Sequence, residues 1–125
     1  MTKRTFTLGT GLVASLFAAL ALATWTTASA APSKLKGTVG PGDTIALKTA
    51  AGKKVSVVSR GTYAITVTDR SDEHNFRLSG PGTRKQITGV EFVGTKTVTV
   101  RLAPGKYTFV CVPHADFMRG GFTVR

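Results

Sequence analysis

Between Lys34 and Val124, apolar and polar residues take turns in short runs, and glycine or proline stops many of those runs. No other feature constrains the fold as much. A strand points successive side chains to opposite faces, so a period of two makes a ribbon with one face to bury. Tyr63, Ile65 and Val67 share one such face, with Ala64, Thr66 and Thr68 on the other. Thr97-Val98-Thr99-Val100-Arg101-Leu102 alternates as cleanly. Tyr107-Thr108-Phe109-Val110-Cys111 does so as well, except that Val110 is apolar too, which predicts a strand covered on both faces. Further strands are predicted near 35–39, 44–48, 54–58, 73–78, 87–93 and 121–124. Turn signals stand at Gly40-Pro41-Gly42, Gly80-Pro81-Gly82 and Pro104-Gly105. No long segment has a helical period, and the 12 Val and 13 Thr beyond residue 30 suit a half-buried pleated surface. Seven to eight short strands with regular turns predict an all-β protein, a sandwich or a barrel.

Leu102-Ala103-Pro104-Gly105-Lys106-Tyr107 favours the sandwich. It has the form of a tyrosine corner, in which a Tyr near a strand start bonds back across a Greek-key connection. A Tyr107 that is simply a core aromatic is compatible with this. Gly61-Thr62-Tyr63 opens its strand in the same way, too briefly to count as a repeat.

The first thirty residues obey a different rule. Lys3 and Arg4 precede an apolar stretch from Leu8 to Trp25, which ends in Ala28-Ser29-Ala30. A basic start, a short apolar core and a small-x-small site form a secretory signal peptide. The rival reading is an uncleaved anchor, but Gly, Thr and Ser dilute the apolar core. The expected organisation is a signal peptide over residues 1–30 and one domain over 31–125. Such a protein is exported to a periplasm, cell envelope or extracellular space, with no stable membrane insertion after cleavage.

Cysteine and histidine usage narrows the chemistry. One Cys excludes an internal disulfide and any zinc module built on two cysteines. Two His exclude a histidine-rich multinuclear cluster. What remains beyond residue 30 is His74, Cys111, His114 and Met118, every His and the only Cys and Met there. Three of the four lie in Cys111-Val112-Pro113-His114-Ala115-Asp116-Phe117-Met118, at the end of an alternating strand. His74 joins them only if the fold brings it there. Each has an ordinary alternative: a buried Cys, a surface His, a Met that fills the core. Together they make another pattern. Two imidazoles and a thiolate with a weak axial thioether form a blue-copper site. Soft sulfur donors favour copper, and zinc has little use for a thioether.

These residues resemble the cupredoxins of the plastocyanin, pseudoazurin and amicyanin type. The likeness is carried by Tyr107-Thr108-Phe109-Val110-Cys111-Val112-Pro113-His114 with Met118 and Gly120-Gly121-Phe122-Thr123-Val124, and by Asp72-Glu73-His74-Asn75-Phe76. It implies a cupredoxin-like Greek-key sandwich with one type 1 copper at one end. It implies that His74, Cys111 and His114 are the strong ligands, that Met118 is axial, and that Asn75 ties the two ligand loops together. It also implies that His114 reaches the surface within an apolar patch, for which Val112, Pro113, Ala115 and Phe117 are the candidates. A buried Phe117 that only positions the loop is the alternative. The interval from His114 to Met118 is intermediate between those of plastocyanins and amicyanins. Asp116 inside it is expected either to cap the loop or to be solvated, and Asp72 and Glu73 either to bear on the copper or to cap a turn.

Residues 31–125 hold 15 Lys and Arg against six acids, a charge of +9, and the basic residues form no single run. Charge of this kind steers a protein toward an acidic redox partner or an anionic surface. Nucleic acid is not expected, because no basic-aromatic motif is present. The function read from the sequence is a monomeric carrier of single electrons between Cu(I) and Cu(II), not an enzyme. The alternative is a protein that stores or delivers copper with the same ligands. A multicopper oxidoreductase would need histidines beyond the two already used.

Overall fold

The computed structural model describes residues 23–125, together with residues 2, 5, 9 and 11. The expected signal peptide, apart from the segment from Ala23 to Ala30, therefore lies mostly outside the described residues. Among the described residues there are nine strands: β1 Ser33–Val39, β2 Ile45–Thr49, β3 Val57–Val58, β4 Gly61–Asp69, β5 Phe76–Gly80, β6 Thr83–Thr88, β7 Gly94–Leu102, β8 Gly105–Val110 and β9 Arg119–Val124. They form two sheets, ordered β2-β1-β4-β7 and β3-β9-β8-β5-β6. The protein is an all-β sandwich, as the alternation predicts.

The inward faces supply the core. Leu35 and Val39 of β1, Leu47 of β2, and Tyr63, Ile65 and Val67 of β4 are buried from one sheet. Phe76 and Leu78 of β5, Ile87 of β6, Tyr107 and Phe109 of β8, and Phe122 and Val124 of β9 meet them from the other. Each such side chain stabilises the fold by about 1.5–3 kcal/mol relative to its exposed state. Two rings set the spacing locally: Phe76 and Phe109 stack with centroids 5.6 Å apart. Gly37 makes room opposite them, because a Cβ there would stand 2.8 Å from Val67 Cγ2 and 3.1 Å from Phe76 Cε2.

Three expectations need correction. The strand expected over 87–93 is β6, which runs from Thr83 to Thr88 and stops. β6 is an edge strand, so its Arg84-Lys85-Gln86 face is exposed and carries no apolar signal. The apolar residues beyond it, Val90, Phe92 and Val93, lie in an exposed loop. The strand expected over 73–78 starts only at Phe76, whose N–H is taken by the Thr88 hydroxyl at 3.0 Å. Of 54–58 only Val57 and Val58 form a strand, in parallel with β9, while Lys54 makes a single bridge to Lys48; among the described residues the sandwich has nine strands rather than seven or eight.

The register sorts the connections by end. β1 runs parallel to β4 from the pair Ser33 and Tyr63 to the pair Val39 and Asp69, and β4 is antiparallel to β7 from Asp69 and Gly94. β5 is antiparallel to both β8 and β6. Four connections thus share one end: the turn over 40–44, the loops over 70–75 and 89–93, and the loop over 111–118.

Candidate metal centre

β5 and β8 are neighbours, with Arg77 opposite Val110. The residues just before β5 and just after β8 must therefore adjoin. That register brings His74 to Cys111 across 37 residues of sequence.

The loop after β8 is a closed structure. Cys111 N–H donates to the Met118 carbonyl at 2.9 Å, so the two ends of the segment are tied together. Between them Val112–His114 form a single 3₁₀ turn with Pro113 near its start, where a missing N–H costs nothing. His114 N–H bonds Cys111 O at 3.1 Å, and Met118 N–H bonds His114 O at 2.9 Å. On the facing loop, Asp69 Oδ1 accepts from Ser71 N–H at 3.1 Å and Ser71 Oγ accepts from Glu73 N–H at 3.2 Å. Asp69 and Ser71 cap this turn, and Asp72 and Glu73 are solvated.

Both imidazoles present Nδ1 to the sulfur. His74 Nδ1 and His114 Nδ1 stand 3.0 Å apart, and each is 3.6 Å from Cys111 Sγ. The rings meet edge to face at 77°. Donors at about 2.0–2.3 Å from a shared ion can be at most twice that distance apart, so all three edges fit one metal ion. His74 and Cys111 are buried and His114 is half-exposed. Met118 is fully buried and belongs to the same loop, with its main chain bonded to Cys111 and His114. Two ring nitrogens and a cysteine sulfur make a soft donor set, and it suits copper better than a hard ion.

Groups outside this set hold it in place. Buried Asn75 accepts the Val112 N–H on Oδ1 at 2.7 Å, which joins the two loops. The far side of His74 is engaged too: Nε2 is 3.3 Å from Asp43 Oδ1. Nothing in the sequence singles out Asp43. It sits in the β1–β2 turn, where Gly40 N–H bonds Thr44 O at 2.8 Å and the Thr44 hydroxyl bonds Pro41 O at 3.0 Å. Only the two-sheet topology sets that turn over His74.

Phe117 is 60% exposed, which settles its two readings in favour of the surface. Its ring lies 5.4 Å from that of His114. Val112 is also exposed at 38%, and Asp116 is solvated.

No protein-family model matches this chain, and no curated protein matches it. Solved structures do. Rusticyanin from Thiobacillus ferrooxidans matches over 74% of this chain and 76% of its own at 22% identity, with a TM-score of 0.51. A structure of rusticyanin variants matches over 78% of this chain and 80% of its own at 20% identity, with a TM-score of 0.53. Another, described as the copper protein rusticyanin, matches over 74% and 76% at 18% identity, with a TM-score of 0.51. The chain has the fold of these cupredoxins.

Proposed function

We propose, from a cupredoxin fold that carries this donor set, that the chain is an exported type 1 copper protein that passes single electrons between redox partners. The observation that carries the reading is the triangle of His74 Nδ1, His114 Nδ1 and Cys111 Sγ, with edges of 3.0, 3.6 and 3.6 Å, formed with one vertex near the surface. His74, Cys111 and His114 would hold the ion, and Met118 would offer its thioether as a weaker fourth donor. Bound there, copper supplies a couple between Cu(I) and Cu(II).

The chain's own residues do the rest. Asn75 and the Cys111–Met118 main-chain bond fix the donors before any metal arrives. A fixed donor set moves little when charge changes, which favours fast electron exchange. Buried Cys111, Met118 and His74 keep water from the sulfur side. His114 is left as the contact with the outside, beside Phe117. Residues 1–30 act as a cleaved secretory signal in this reading, and residues 31–125 work as a monomer in the periplasm, cell envelope or extracellular space. Among the described residues no helix is long and apolar enough to cross a membrane. The net charge by itself favours an acidic partner. The face around His114 carries the opposite sign.

The visible spectrum tests this. Residues 31–125 with one equivalent of Cu(II) are expected to show an intense blue band that is lost in Cys111→Ser. A colourless wild type sinks the reading. It would turn attention to storage or delivery of Cu(I) by the same residues, a role marked by fast transfer to an acceptor and poor redox cycling.

A further inference from the structure

The basic residues are spread over the sandwich, but the acids are not. All six sit at the end that carries the metal centre. Asp43 is in the 40–44 turn, Asp69 is the last residue of β4, Asp72 and Glu73 precede His74, Glu91 is in the β6–β7 loop, and Asp116 is in the ligand loop. Asp69 is buried and the other five are exposed. Counted the same way, this end holds two basic residues, Arg70 and Arg119, the first residue of β9, against five exposed acids. The molecule is cationic as a whole, while the end that bears His114 is anionic.

The same connections hold the exposed apolar side chains. Val90, Phe92, Val93, Val112 and Phe117 account for five of the seven large hydrophobics exposed among the described residues. The other two are Trp25 and Val57. An apolar centre with a charged rim is the anatomy of a docking face. Here the half-exposed His114 ring lies 5.4 Å from Phe117, one of these exposed apolar side chains.

We infer that this end docks a redox protein whose own face is basic: an apolar spot ringed by Lys and Arg. The inference rests on the electron-carrier reading of the same site and reverses the partner expected from net charge. Net charge acts over distances that salt screens within about 8 Å at physiological ionic strength. Docking is decided by the groups that come into contact, and like charges placed together there oppose it. An acidic partner at this end would meet five carboxylates. A basic one meets complementary charge around an apolar contact, and the cationic flanks turn it away from the remaining surface, which sets its orientation.

The test uses the full metal-free chain, isotope-labelled, with a c-type cytochrome ringed by lysines as the probe. Amide shifts are expected at 43, 72, 73, 91 and 112–117, and they are expected to fade as salt is added. The variant Asp72→Asn/Glu91→Gln/Asp116→Asn is expected to weaken binding about tenfold at low ionic strength and to match wild type at high salt. The replaced side chains are exposed, and an unchanged Tm confirms that the fold is intact. Shifts confined to the basic flanks, or a variant that binds as wild type does, overturn the inference. So does an acidic protein such as a flavodoxin mapping to the His114 end. A chain that binds the cytochrome there but takes up no copper upholds the docking face and overturns the electron-carrier reading alone.

Discussion

His74 has two ring nitrogens, and a metal needs only one of them. With its proton on Nε2, facing Asp43 Oδ1 at 3.3 Å, the ring leaves the Nδ1 lone pair free toward Cys111. A carboxylate behind a ligating imidazole fixes both tautomer and orientation. Asp43→Ala is therefore expected to lower Cu(II) affinity about 10- to 100-fold in a competition titration, whereas Asp43→Asn, which keeps an acceptor oxygen, recovers most of it. Equal affinity in all three proteins would show that the contact does nothing. At this scale the sequence revealed residues in proportion to how local their relations are. Cys111, His114 and Met118 share one short segment and could be read together. His74 could be named only because the chain has one other histidine. Asp43 had no signal, since its relation to His74 runs through the packing of two sheets and not through spacing.

Elements were legible where one face is buried. β4 and β8 alternate because the core demands it, and both were found. β6 was misplaced because an edge strand with solvent on its outer side needs no apolar residue there, while the exposed valines beyond it mimic a strand. The Gly-x-Tyr openings have one physical role. Tyr107 OH donates to Ala103 O at 2.9 Å and accepts from Ala103 N–H at 3.0 Å, and Tyr63 OH donates to Ser59 O at 2.7 Å. Each hydroxyl reaches four residues back and pins the connection that leads into its strand. Tyr107 serves two main-chain groups of one residue, and its ring is buried below Gly80, where any Cβ would collide with it. Tyr107→Phe is expected to destabilise the fold by about 1–3 kcal/mol, and Tyr63→Phe by less. Urea unfolding at constant m-value measures both, and equal losses would contradict the stronger role given to Tyr107.

For the whole molecule, the separation of charge matters more than its sum. The sum can be read from the sequence, but only the order of strands shows that every acid falls at one end. The flanks and the far end keep Lys34, Lys53, Lys54, Arg60, Arg101, Lys106 and Arg125, all exposed. Vesicles that contain anionic phospholipid are expected to bind the protein at low salt and release it near physiological ionic strength, with amides 112–117 unaffected throughout. Line broadening that starts in the ligand loop would contradict that orientation. β1 adds a consequence of its own. It runs from Ser33, two residues beyond the predicted cleavage site, to Val39 beside the metal end, a span of about 20 Å through the middle of its sheet. Whatever is joined ahead of Ser33 is thereby held at the foot of the sandwich. A fusion, a surface linkage or a retained leader would leave the face around His114 pointing outward like a lamp on its post, so the chain can be immobilised by that handle with the opposite end free.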